Sequence, residues 1–135
     1  MVEFPGSNFV AGGWANGFGL HFALQDDGWL TASYTFDSLK QGPSGIVHGG
    51  ALAAVLDEAM TAAVFTAGYP SFTANLILDY RAAVLVGTSV TIQGKVDLID
   101  RRKLYTIARV VLADGTLAVE AKALFIARKD AVPEE

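Results

Sequence analysis

The feature that most constrains this chain is the run of residues 50–66. It is rich in alanine, carries Leu52, Val55, Leu56 and Met60, and gives way to Gly68, a residue suited to stopping a helix. Its apolar residues go nearly all the way round a helical period, so the helix has no face fit for water. Such a helix must be enclosed, and the rest of the chain supplies strands to do it. Residues 20–24 and 29–36 flank Gln25-Asp26-Asp27-Gly28, a hairpin turn signal. Residues 73–80, 89–98, 103–112 and 118–127 are further strand-like runs, with turns at Asp100-Arg101-Arg102 and Ala113-Asp114-Gly115. Ser89, Thr91, Gln93 and Lys95 alternate with Val90, Ile92, Gly94 and Val96, a period of two. The expected class is α+β: two strands, one long central helix, then four strands as an antiparallel meander, the sheet wrapped around the helix.

The remainder reads as connection. Residues 37–47 hold Gly42, Pro43 and Gly45 and are expected to be an irregular loop. Roughly the first 15 residues, rich in Gly and Asn, read as an irregular arm or short helix, and residues 129–135 as a frayed tail. Residues 1–135 are expected to form one domain.

Composition narrows the function. Hydrophobic residues make up 52% of the chain and its mean hydropathy is +0.37. That is high for a small domain, and it points to apolar surface covered by a second copy or by an apolar ligand. The net charge of −4 comes without a basic stripe, so no nucleic-acid partner is expected. There is no cysteine, and the only histidines are His21 and His48, so no metal or other cofactor is expected. Residues 4–25 are uncharged but follow no Lys or Arg and are broken by glycines, unlike a signal peptide. Gly68-Tyr69-Pro70-Ser71 breaks the uncharged residues 59–78, so no membrane span is expected there. A soluble cytoplasmic protein is the expectation.

Gly45-Ile46-Val47-His48-Gly49-Gly50 followed by a helix bearing Asp57 resembles the hotdog-fold acyl-CoA thioesterase superfamily. The pattern is most similar to the phenylacetate-pathway type and to thioesterase-superfamily members with a Gln-Gly-Pro-Pro-Gly lead-in, which reads Gln41-Gly42-Pro43-Ser44-Gly45 here. Gly17-Phe18-Gly19-Leu20-His21-Phe22 resembles a second family segment, with Gly17 where proline is usual. The resemblance covers roughly residues 15 to 127. It implies a hotdog fold, hydrolysis of an acyl-CoA to free acid and coenzyme A, and assembly as a homodimer or homotetramer with two sites per dimer. Coenzyme A would be part of the substrate.

The residues carry chemistry of their own. Glycines at a helix entrance let a ligand approach the backbone, where the first N–H groups lack intrahelical partners. Such groups can polarise a thioester carbonyl. The resemblance gives that role to Gly49, with Gly50 beside it; without it, both are a helix cap with room for packing. By resemblance His48 orients the loop or contacts the thioester; otherwise it is a structural histidine bonded to backbone. Asp57 lies among alanines and leucines, where burying a carboxylate is costly unless it is paired or used. It would act as a general base or attack the carbonyl itself, and the alternative is a salt bridge to Arg81. Glu58 is about 100° further round the helix and cannot share its cleft. By resemblance Thr73 helps the acid hold the attacking water, and Asn75, expected on the same strand face, is a second candidate. Otherwise Thr73 is an ordinary strand threonine.

Arg101, Arg102 and Lys103 form a basic cluster that either holds coenzyme A phosphates or merely solvates a turn, and Arg81 is a further phosphate candidate. Phe65, Phe72 and Tyr80 are candidates to shape an acyl pocket. Some relatives place Asn or Gln near the position of Gly42, which has no side chain; Gln41 or backbone alone would replace it. Gly49 and Asp57, eight residues apart, are about 12 Å apart on one helix, so one protomer can hardly supply both groups to one carbonyl. Two antiparallel helices could. A dehydratase or hydratase, a non-catalytic acyl-CoA sensor and a ligand-free dimer module are the competing readings.

Overall fold

The computed structural model describes residues 3–4 and 19–131. Strands β1 (Glu3–Phe4), β2 (Phe22–Leu24) and β3 (Leu30–Thr35) precede helix α1 (Gly49–Thr66). Strands β4 (Ser71–Tyr80), β5 (Ser89–Asp100), β6 (Lys103–Leu112) and β7 (Leu117–Ala127) follow it. All seven form one antiparallel sheet in the order β1-β2-β3-β5-β6-β7-β4. This is the expected α+β hotdog architecture, with one strand more. Glu3–Phe4, expected as irregular or helical, pairs with β2, while Gly17 and Phe18 of the family-like segment lie outside the described residues. Two expected irregular segments contain short 3-10 helices, Ser38–Lys40 in the loop and Lys129–Ala131 in the tail.

The sheet wraps α1 as its composition demands. Val55, Leu56, Ala59, Met60, Ala62 and Val64 are wholly buried, against Ile92, Leu104, Val110, Val119 and Phe125 from β5, β6 and β7. By length and hydropathy α1 could pass for a membrane span, but here it is the core helix of the sheet. One glycine sets how closely helix and sheet meet. A Cβ on Gly94 would lie 2.5 Å from the Ala59 carbonyl oxygen, so β5 can pass beneath α1 only without a side chain.

The expected four-strand meander holds only for β5, β6 and β7. Strand β4 pairs with β7 and forms one edge of the sheet. The connection from β4 to β5 therefore crosses the end of the sheet. It is pinned as it goes: Arg81 and Ala82 N–H donate to the Ala118 carbonyl, Val84 carbonyl accepts from Val47, and Gly87 N–H donates to Phe36. This crossing sets residues 80–84 beside the start of α1.

Candidate active site

Four groups meet at the helix entrance. His48 is the N-cap of α1, and its Nδ1 accepts a hydrogen bond from the Gly50 N–H at 2.8 Å. The ring proton of this neutral imidazole therefore sits on Nε2. Ala51 and Leu52 N–H both donate to the His48 carbonyl. Among the first four N–H groups of the helix, only that of Gly49 donates to no described residue. The Tyr80 hydroxyl donates to the Gly49 carbonyl at 2.8 Å. The nearest atoms a methyl added at Gly49 would meet are the Tyr80 hydroxyl and ring, at ordinary contact distances of 3.5 to 3.6 Å. Packing within the described chain thus does not demand glycine there, whereas a ligand approaching the N–H would. Gly50 differs, since its Cβ would press on His48 Nδ1 at 3.0 Å.

A hollow of about 380 Å³ opens at this point, lined among others by Val47, Gly49, Leu52, Tyr80 and Arg81. The Gly42 position could not hold a side chain without moving His48, because its Cβ would lie 3.2 Å from the His48 Cα. Gln41 uses its side-chain oxygen to accept from the Gly45 N–H at 2.9 Å, so that oxygen braces the loop.

Two turns along the helix, Asp57 Oδ1 accepts a hydrogen bond from the Thr73 hydroxyl at 2.7 Å. The sequence reading paired these residues, and the geometry joins them. It also corrects two expectations. The acid buried in the core is Glu58, 6% exposed, while Asp57 is half-buried at the helix margin. Asn75 does not share the face of Thr73. A β-bulge between them shifts the register, so Thr73 lies opposite buried Phe125 and Asn75 opposite the outward Leu124.

The basic residues are spread over the two ends of the sheet. Arg81 forms an ion pair with Glu120, not with Asp57. That hydrogen bond and the Glu120 charge hold the Arg81 guanidinium above its usual pKa. Arg102 Nε donates to the Ala127 carbonyl at 2.9 Å, which ties the β5–β6 turn to the end of β7, and Lys103 is exposed. Arg101 holds a left-handed backbone at φ 56° in that turn. Register places this turn at the Asp57–Thr73 end of the sheet, since Lys103 pairs with Ile126 and Ile126 with Phe72. Roomier hollows, about 500 and 690 Å³, open on the outer face of the sheet, away from both Gly49 and Asp57.

Sequence reasoning missed the hydroxyl of Tyr80 as a partner of the helix entrance and named only its ring. No sequence signal links positions 49 and 80; the crossing of residues 81–88 brings them together.

A single long helix packed against an antiparallel sheet is the hotdog fold. The chain belongs to the thioesterase superfamily, whose family model matches residues 44–119. Over 88 residues it is 40% identical to acyl-coenzyme A thioesterase THEM4 of Xenopus laevis, covering 64% of this chain and 39% of that protein. The chain thus spans well under half the length of that relative. The thioesterase superfamily protein RHA08564 superposes with a TM-score of 0.83 at 28% identity, over 89% of this chain and 59% of that one. A hypothetical thioesterase of Streptococcus pneumoniae, solved with coenzyme A, shares the fold at 17% identity, with a TM-score of 0.75 over 81% and 85% of the two chains. That protein has also been solved with alanine in place of an aspartate and in place of a threonine.

Proposed function

We propose that this protein is an acyl-CoA thioesterase that hydrolyses its substrate to a free carboxylic acid and coenzyme A. The observation that carries the reading is the pairing of a half-buried Asp57 with Thr73, on the same helix as an open Gly49 N–H. The Asp57 carboxylate takes a proton from water, or attacks the carbonyl, while Thr73 holds it in place. The Gly49 N–H, at the positive end of α1, receives the developing oxyanion. His48 serves by capping Gly50, which keeps the first turn wound. The aspartate and threonine replaced in the Streptococcus pneumoniae thioesterase have the same sequence separation as Asp57 and Thr73, which supports these roles. The names of the THEM4 relatives support the substrate class. Arg101, Arg102 and Lys103 are our candidates for the coenzyme A phosphates.

The site is completed across a homodimer. Thr73 and Tyr80 stand near opposite ends of β4, so the Asp57 and Gly49 that they hold face different substrates unless a second copy intervenes. Strand β4 is a long edge strand whose outer backbone side pairs with no described strand, and Ile77 and Tyr80 on it are 56% and 54% exposed. A two-fold axis that sets Gly49 against the partner's Asp57 also sets Tyr80 opposite the partner's Thr73. The bulge at Ala74 then drops out of the count. Asn75 meets the partner's Asp79, Leu76 the partner's Leu78, and Ile77 its own copy. Every such pair points to one face, as an antiparallel ladder requires.

The test is release of free thiol, read with Ellman's reagent, from short, long and aromatic acyl-CoAs. At least one should be hydrolysed, and Asp57→Asn should slow that turnover by about 10² or more. Binding without thiol release across the panel would refute the enzyme and leave a binding protein.

A further inference from the structure

The first turn of α1 is an unusual place to fix a donor. It begins with two glycines, which favour a helix less than alanine does, so left alone this turn should fray. Its peptides are nevertheless held one by one. The His48–Gly49 peptide is held through its carbonyl by Ala51 and Leu52, and its N–H is the open one. The following peptide, Gly49–Gly50, is gripped at both ends by side chains. The Tyr80 hydroxyl donates to its oxygen at 2.8 Å, and His48 Nδ1 accepts from its N–H at 2.8 Å. The two grips have different origins. His48 belongs to the turn itself, whereas Tyr80 comes from β4, 31 residues away, and ties the turn to the sheet.

We infer that Tyr80 is a positioning residue: its hydroxyl locks the Gly49–Gly50 peptide and thereby aims the Gly49 N–H at the reacting carbonyl. The inference rests on the role proposed above for Gly49, and it assigns the aim of that donor to a residue outside the His48-Gly49-Gly50 motif. The geometry makes the hydroxyl, not the ring, the active part. Besides its place in the helix, where its oxygen also faces the Ala53 N–H, this peptide is held by side chains at its oxygen and its N–H, and the neighbouring N–H shares the Gly49 Cα. A donor held in place before reaction costs no reorganisation when charge develops. A donor that wobbles still admits substrate but stabilises the oxyanion less, so the loss belongs in kcat and not in KM.

Tyr80→Phe keeps the ring against Gly49 and removes only the hydroxyl. Its kcat should fall about tenfold on the best acyl-CoA, with KM close to wild type and the melting temperature little changed. In uniformly ¹⁵N-labelled protein the Gly49 and Gly50 amide signals should move, and Gly50 should exchange its hydrogen faster. Gly50→Ala crowds His48 Nδ1 from the other side of the same peptide and should give a similar loss of kcat. The double variant should fall little below the poorer single one, since both break one clamp. Wild-type kcat in Tyr80→Phe, or a change confined to KM, would overturn the inference. So would full multiplication of the two losses in the double variant. The amide signals separate this inference from the enzymatic reading: they test the clamp even in a protein that releases no thiol. Unmoved Gly49 and Gly50 signals in Tyr80→Phe would overturn the clamp whatever the activity.

Discussion

Asp57 and Glu58 are neighbours in sequence that the fold sends to different surroundings. The roughly 100° between them turns Glu58 into the core, where it is 6% exposed, and leaves Asp57 at the margin within reach of Thr73. A carboxylate that is to meet water must be reachable by it, so the half-buried acid is the better base. The Thr73 hydroxyl fixes one of its oxygens and leaves the other for a water molecule. Thr73→Ala should therefore lower kcat about tenfold, while Thr73→Ser, which keeps the hydroxyl, should stay near wild type. Steady-state rates of the two variants, with melting curves as a check on folding, decide the matter; equal rates would contradict the role. At this scale the sequence carried the Asp57–Thr73 pair, because a motif and a strand start marked both residues. Asn75 was misplaced because the bulge before it leaves no mark in the residue pattern. The Tyr80 hydroxyl was invisible because nothing local ties it to Gly49.

At the scale of elements, the helix and its wrapping were legible and the edge of the sheet was not. The apolar circumference of residues 50–66 demanded enclosure, and the alternation along β5 announced which side would enclose it. The same alternation set Gly94 among the inward residues without saying why a glycine stands there. The reason is contact: α1 crosses β5 with the Ala59 carbonyl so near that no Cβ fits. Gly94→Ala should cost about 2 to 3 kcal/mol, as overpacking of a core contact does. Calorimetry should show this as a fall in melting temperature of roughly 5 to 15 °C. An unchanged melting temperature would mean that the helix can lift from the sheet freely. The place of β4 beside β7 was not legible, since strand order depends on a connection whose path is set by backbone hydrogen bonds to Ala118, Val47 and Phe36.

For the whole molecule, the high hydropathy hints at a covered surface, and the dimer proposed above would set it along β4. On the outer face, Arg109 stacks on Trp29 at 4.2 Å and donates to Gln93, which donates to Thr31, while Leu98 and Tyr105 further along β5 and β6 are exposed. Along β4 the outward residues mix Phe72 and Ile77, 59% and 56% exposed, with exposed Asn75 and Asp79. An edge dimer with Ile77 on the two-fold axis would set the two Ile77 side chains against each other. Ile77→Cys should then form a disulfide between subunits under mild oxidation, visible as a dimer on a non-reducing gel, while Asp79→Cys should form one far less readily. Efficient crosslinking at position 79 and none at 77 would show a different register.

The central claim is that each reaction centre takes its acid from one chain and its oxyanion donor from the other. Two inactive proteins test it together. Asp57→Asn removes the acid, and Gly49→Pro removes the donor at the first helical position, where proline is well tolerated. After subunit exchange, a mixed dimer holds one intact centre, so an equal mixture should recover roughly a quarter of wild-type thiol release. Mixed dimers that form, as read by native mass spectrometry, yet stay as inactive as their parents would contradict it.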